Sequence, residues 1–353
     1  MSSNFPLSYQ LSWLPRFLVP SLGGDSAGFA PPAGGSPSSA EKVVRLVFLG
    51  DISAVAGRKA PIIDKALRDK IASAEVVIAN CESPVVAWPR KQPGTLLGTR
   101  HAMTRQFLSE ALAAAGIATD RLVLSLANNH ALDQGTMGFD ETTRELTDLG
   151  IRTVGAVAGG PVPVVGAGPM TVGIAAFTEW RNARSTDFAG RVMTSDAFEQ
   201  DGRVALERAD ADLVCAMPHW DREFRHFPHP TTRATARRLA ESGVDLIVGG
   251  HTHVVQPMQR IGDTLIAYGL GDFLGTAWPH CRWPLRLGAM LLVDVAADIS
   301  ASGRRRGKIA SYEVVPFLRR RESGREHLMS IGSVPGALGK AVEARWRTVF
   351  YHD

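Results

Sequence analysis

Apolar residues in this chain fall in short runs, and polar residues with metal-binding chemistry follow those runs. Val43 to Leu49 ends at Gly50-Asp51, Glu75 to Ala79 at Asn80-Cys81-Glu82, and Leu122 to Leu126 at Ala127-Asn128-Asn129-His130. Further on, Val172 to Phe177 leads to Thr178-Glu179-Trp180-Arg181, and Leu213 to Met217 to Pro218-His219-Trp220. Val244 to Val248 leads to Gly249-Gly250-His251-Thr252-His253, and Leu265 to Tyr268 to Gly269-Leu270-Gly271-Asp272-Phe273. Short apolar runs bounded by Gly, Pro, Asn and Asp read as buried strands. Between them, helical spacing predicts helices at Ala60 to Ile71, Thr104 to Ala115, Phe139 to Leu149 and Thr231 to Ser242. Gly150 and Gly243 stand where a left-handed residue closes a helix. Ala289 to Val295 and Ile309 to Pro316 read as strands that complete a sheet. Alternating strands and helices define an α/β protein.

Three segments emerge. Residues 1–42 differ from the rest: Ser21 to Ala40 is rich in Gly, Pro, Ser and Ala, a linker composition. Phe5-Pro6-Leu7 and Leu11 to Pro20 before it carry aromatic and apolar residues. The expectation is a flexible or loosely packed tail; the alternative is a segment that packs on the domain or covers a peptide groove. Residues 43–330 are expected as the main folded domain, the one that carries any site, and residues 331–353 as a helical C-terminal extension.

Composition narrows the field. The chain has 353 residues, 45% of them hydrophobic, enough for a sizeable core. The formal net charge of +4 is too small for a nucleic-acid signature. The runs Arg304-Arg305-Arg306 and Arg319-Arg320-Arg321 read as solvated charge. The cysteines Cys81, Cys215 and Cys281 are odd in number and lack a Cys-x-x-Cys spacing, so no disulfide framework is expected. No stretch has the apolar length of a membrane span, and no signal-peptide pattern opens the chain, so the expected location is the cytoplasm.

Taken singly, each polar residue at a strand end has an ordinary explanation. Gly50-Asp51 and Asn128-Asn129 are turn chemistry, Glu82 a solvated carboxylate, His219 a core histidine. His251-x-His253 is the strongest element, although alternate residues share a side only where a loop keeps strand periodicity. Together they occupy successive strand ends, where ligands gather in open α/β sheets. Carboxylates, an amide oxygen and neutral imidazoles suit a hard or borderline divalent cation. No thiolate belongs to the set, which argues against structural zinc.

The ordered series Gly50-Asp51, Asn80-Cys81-Glu82, Asn128-Asn129-His130 with Asp133 and Gly135, His219-Trp220 with Glu223, Gly250-His251-Thr252-His253 and Gly269-Leu270-Gly271-Asp272-Phe273 resembles CapA-type proteins. These are the poly-γ-glutamate and capsule-synthesis branch of the calcineurin-like metallophosphoesterases. The resemblance spans roughly residues 43–295 and implies a four-layer sandwich, two mixed sheets flanked by helices. It makes Asp51, Glu82, Asn129, His219, His251 and His253 the metal set, with Glu82 at the bridging position. It makes His130 the acid–base residue, oriented by Asp133. The wider superfamily carries Asp-x-His in its first motif; here Asp51-Ile52-Ser53 lacks the histidine. One divalent ion (Ca, Mn, Mg or Zn) is therefore expected, and a second is less expected.

Three reaction classes follow. The first is hydrolysis of a phosphoester or a γ-glutamyl or other amide bond, with His130 protonating the leaving group. The second is epimerisation at a peptide α-carbon, which needs a base on each face. His130–Asp133 is one candidate, and the second His–Asp pair is drawn from His219, His251, His253, Asp221 and Asp272. Cytoplasmic CapA-like epimerases of lasso-peptide pathways, acting on the C-terminal residue of a precursor peptide, resemble this chain in their His and Asp content. The third is a non-catalytic part of a capsule-synthesis assembly. The reading favours epimerisation of a peptide, with no nucleic acid and no membrane as partner. Trp180, Trp220, Phe224, Phe227, Trp278 and Trp283 are candidate peptide contacts or core residues. Trp220 and Glu223 stand among the candidate substrate-binding residues, and Arg181 or Arg184 is expected to receive a carboxylate.

Overall fold

The computed structural model describes residues 3–36, 43–54, 59–90, 99–208, 210–275, 281–299 and 305–351. Trp278 and Arg304 lie outside them. Two mixed sheets dominate, one of ten strands and one of six. In the larger sheet Val43–Ser53 pairs in parallel with Val76–Cys81, which pairs in parallel with Leu122–Ser125. Val43–Ser53 changes its other neighbour along its length. Residues 43–48 face antiparallel Leu287–Ile299, while Asp51 to Ser53 face Asp272–Gly275 in parallel. The exchange depends on Gly50, where a methyl group would sit 1.8 Å from the Gly271 carbonyl oxygen. Only a residue without Cβ lets these two backbones meet.

The smaller sheet runs Met258–Ile261, Thr264–Ala267, Leu246–Val248, Leu213–His219, Met170–Thr178, Val164–Ala167. Its four middle strands are parallel and its two edge pairs antiparallel. Strand periodicity divides its residues. Leu213, Cys215 and Met217 join the core shared with the larger sheet; Val214 and Ala216 join a second core with Phe198, Leu206, Ala236 and Leu239. Those four belong to the helices Ser195–Arg208 and Pro230–Glu241, which cover the sheet's other face. Strands buried on both faces read as unbroken apolar runs. Each large aliphatic side chain so buried contributes roughly 1.5–3 kcal/mol.

Two parts of the chain depart from the pattern-based reading, while the C-terminal segment carries the expected helix. The helix expected from Ala60 begins only at Lys65, because Ile62–Ile63 pairs with the unforeseen strand Arg325–Ser330. The C-terminal helix is Gly336–Phe350, which buries Val342, Trp346, Val349 and Phe350. The larger departure is at the N-terminus. Leu7–Leu18 is a helix, and Ala33–Gly35 is a strand paired with Arg305–Glu322. The flexible-tail expectation does not hold for residues 3–36. The reason is a stripe of aromatic residues at four-residue spacing: Phe5, Tyr9, Trp13 and Phe17. Tyr9 and Arg16 are buried against the strand-end loops, while Leu7, Leu11, Leu14 and Leu18 on the other face are exposed. No helix among the described residues is long and apolar enough to cross a membrane.

Candidate metal centre and acid–base site

The strand-end residues converge, and each sheet sends a different chemistry. Asp51, Glu82, Asn129 and Asp272 come from the ends of the larger sheet's strands, His219, His251 and His253 from those of the smaller sheet. All are almost fully buried. Among the described residues, His101, His130 and Asp133 form one group of ligand atoms close enough to hold a cation, and two more share a carboxylate: Glu82 with His219 and His251, and Asp51 and Glu82 with His253 and Asp272. Glu82 belongs to both of these.

Local backbone conformation makes the convergence possible. Asp51 Oδ1 accepts a 2.8 Å bond from the Asn80 amide, and Oδ2 accepts the His251 backbone N–H at 2.9 Å. Gly250 leaves room for this carboxylate, since a methyl group there would lie 2.8 Å from Asp51 Oδ1. The loop carrying His251 and His253 is not strand-like: the two residues have φ of 86° and 54°. Their rings meet the site because the backbone turns through left-handed conformations, which cost a residue with Cβ about 1–3 kcal/mol each. The strand periodicity considered for this pair is thus replaced by a strained turn.

Several polar atoms here are unsatisfied. Both Glu82 carboxylate oxygens and His251 Nδ1 are buried without a hydrogen-bond partner. His219 Nε2 is 3.4 Å and His253 Nε2 3.8 Å from Glu82 Oε1. His219 Nε2 also lies 2.8 Å from Asn129 Oδ1. Buried acceptors left bare are costly, and a set of carboxylate, amide and imidazole donors without thiolate is what a divalent cation of hard or borderline character satisfies. The residues present fit such an ion. Glu82, Asn129, His219 and His251 would hold it, with Asp51 close to Glu82.

The electrostatics follow the same division. Burial pushes the Asp51 carboxyl up to about 6, with the Asp272 charge adding and His253 opposing. Burial holds Glu82 well above the usual carboxylate range, and Asp51 reinforces it. Burial, together with neighbouring imidazoles, holds His219 and His251 well below the ordinary histidine value. His253 is the exception. Burial alone would lower it, but Glu82, Asp272 and Glu223 outweigh burial and hold it well above.

Two His–Asp pairs attach to the centre. His130 Nδ1–H donates to Asp133 Oδ2 at 2.6 Å, and the other Asp133 oxygen accepts from Arg100 at 3.0 Å. Asp133 Oδ2 also accepts the His101 backbone N–H at 2.7 Å, and the His101 ring stacks on His130 at 3.7 Å. The second pair is His253 Nδ1–H to Asp272 Oδ1, again 2.6 Å. Asp272 Oδ2 accepts from Arg319 at 3.0 Å, and Arg319 is itself paired with Glu326. Asp221 is not a base partner: its carboxylate accepts Gln256 Nε2 at 2.9 Å and backbone N–H groups of its own loop.

A cavity of about 430 Å³ opens onto His130 and Asn129, lined also by Phe5, Tyr9, Trp13, Arg100, Asn182 and Glu223. This corrects three substrate-binding expectations. Trp220 is fully buried, its indole N–H held by the Tyr268 carbonyl, so it is a core residue. Arg181 and Arg184 do not line the cavity, and Arg100 does. Arg181 instead uses its backbone N–H to hold the Asn4 side chain at 2.9 Å. Glu223 does line the cavity, where it accepts the Trp13 indole N–H. Arg319 corrects the solvated-charge reading of its triplet: it is 1% exposed and faces Asp272. Alternation along Arg305–Glu322 is the signal that would have found it.

Two mixed sheets flanked by helices, with carboxylates and imidazoles meeting at their strand ends, make this an α/β protein with a candidate cation site at the seam of its sheets. The family model described as "Bacterial capsule synthesis protein PGA_cap" matches residues 45–277, and the chain belongs to that family. It is similar to the PGA biosynthesis protein CapA of Bacillus subtilis (strain 168), 30% identical over 171 residues, 45% of this chain and 44% of that protein. It is also similar to the capsule biosynthesis protein CapA of Bacillus anthracis, 28% identical over 57% of this chain and 51% of that protein. The chain thus spans about half the length of these curated relatives. Among solved structures, a putative 5'-nucleotidase from Staphylococcus aureus in complex with alpha-ketoglutarate aligns with a TM-score of 0.44 and 14% identity. That alignment covers 85% of this chain and 58% of the other.

Proposed function

We propose that the protein is a divalent-cation-dependent enzyme that moves a proton at the α-carbon of a peptide, epimerising that residue. The observation that carries this reading is the matched pair of His–Asp contacts, both 2.6 Å, one next to Asn129 and one next to Glu82. Each Asp accepts the ring Nδ1–H, which leaves Nε2 as the working nitrogen. One imidazole takes the α-proton; the C–H electron pair moves into the adjacent carbonyl as an enolate. The other, protonated beforehand, returns a proton to the opposite face, so the α-carbon is inverted without net oxidation or cleavage. A bound cation supplies positive charge where the enolate oxygen develops. Phe5, Tyr9 and Trp13 offer aromatic surface to a peptide side chain, and Arg100 stands at the same cavity.

The protein, loaded with Mn²⁺, would be incubated with a library of short peptides in D₂O. One deuterium gained at an α-carbon, with the chain intact, is the expected result. Cleaved peptide without deuterium would replace this reading with hydrolysis. Hydrolysis is the second reading because Glu82 belongs to both ligand groups, as the shared carboxylate of a two-metal centre does.

A further inference from the structure

We infer that the N-terminal helix is a working wall of this site and that Tyr9 is a positioning residue for His251. Leu7–Leu18 lies outside the segment matched by the family model, which begins at residue 45. Yet the helix makes the polar contacts that close one side of the centre. The Tyr9 hydroxyl is 2.9 Å from His251 Nε2, and it accepts the Glu223 backbone N–H at 3.1 Å. Trp13 donates its indole N–H to the Glu223 carboxylate, and Arg16 Nε–H donates to the Glu223 carbonyl at 2.9 Å. Phe5 stacks on Trp180 with ring centroids 5.1 Å apart, and Tyr9 packs on the same indole at 5.2 Å.

The hydroxyl decides which nitrogen His251 presents. Nδ1 is buried with no partner, and Nε2 meets Tyr9. With a cation held at Nδ1, the ring proton would sit on Nε2 and be donated to the phenol oxygen. Tyr9 thereby selects the tautomer and fixes the ring plane, the task an outer partner performs for a metal-bound histidine. The ring also needs this support because its backbone is strained, at φ 86°. This inference rests on the cation reading given above.

The test is Tyr9→Phe in the full-length chain, which keeps the aromatic stack and removes one oxygen. Free Mn²⁺ counted by electron paramagnetic resonance gives the affinity. The ¹⁵N spectrum of the histidine rings gives the tautomer of His251 in the metal-free protein. Expected are affinity about tenfold weaker, a shift of the His251 ring from a single Nε2–H form to a mixture, and an unchanged metal-free melting temperature. Trp13→Phe, which loosens the helix but keeps the hydroxyl, is expected to leave the tautomer alone. Equal Mn²⁺ affinity in wild type and Tyr9→Phe overturns the inference. So do equal losses of affinity and melting temperature in both variants, which would make the helix a clamp with no special role for the hydroxyl. A wild-type chain that binds no Mn²⁺ removes the cation reading and this inference with it.

Discussion

The two sheets bring opposite halves of one centre. The larger contributes carboxyls that burial pushes up, Asp51 to about 6 and Glu82 well above the usual carboxylate range. The smaller contributes His219 and His251, which burial keeps neutral. Neither half is content alone: one favours protons, the other refuses them, and both Glu82 oxygens and His251 Nδ1 are buried without a hydrogen-bond partner. A cation at the seam would satisfy both halves at once. The site is thus a seam between two layers that share one core, and an ion that fits it would bond one layer to the other.

The strongest way to break this picture is at the residue both ligand groups share. Glu82→Gln is expected to abolish Mn²⁺ binding measurable by calorimetry while the sheets stay folded by circular dichroism; retained affinity would show that the halves are joined elsewhere. Next is Arg319, which neutralises the buried Asp272. Arg319→Met leaves that carboxylate without its cation, and such losses cost about 3–5 kcal/mol. Urea unfolding should show this, and a change below about 1 kcal/mol would place Asp272's support elsewhere. His130 comes from the larger sheet's side, where the His101 ring stacks on it. His130→Ala should slow deuterium exchange on the peptide about 100-fold and leave Mn²⁺ affinity within about twofold; a lost ion would make it a ligand.

The smallest effect concerns pH in the chelated protein. Asp51 is raised from the unfolded value near 4 to about 6. The folded state therefore holds this proton more tightly, and stability falls as pH rises through that window. His219 and His251 are lowered. The unfolded chain takes up those protons first, and stability falls as pH drops below about 6.5. Metal-free protein should be most stable at mildly acidic pH, with the carboxylate limb on the order of 1–3 kcal/mol. Saturating Mn²⁺ should shift the optimum upward. An optimum that does not move on adding metal would separate these carboxylates from the ion.

The sequence made the strand ends visible because a buried strand and the loop after it are local: an apolar run, a glycine, then a ligand. The pairing of His130 with Asp133 was also within reach of one turn. The supporting residues were not. Arg319 meets an aspartate 47 residues away, and its charge disguised a strand position that points inward. Tyr9 lies 242 residues from His251, in a segment whose Gly-, Pro- and Ser-rich continuation resembles a linker. Only the four-residue spacing of Phe5, Tyr9, Trp13 and Phe17 announced a helix with a buried face. Trp220 beside His219 looked like a substrate contact because sequence adjacency does not say which way a side chain leaves a loop.

That N-terminal helix also sets a timetable for biosynthesis. Its contacts on the Glu223 and His251 loops cannot form until those loops leave the ribosome. At about 5–20 residues per second, the aromatic stripe waits on the order of tens of seconds for its place. Meanwhile two apolar faces, the aromatic one and the leucines 7, 11, 14 and 18, stand open to anything that captures nascent chains. A segment made well before the loops it rests on is then among the last to be seated, and the centre is complete only when it arrives.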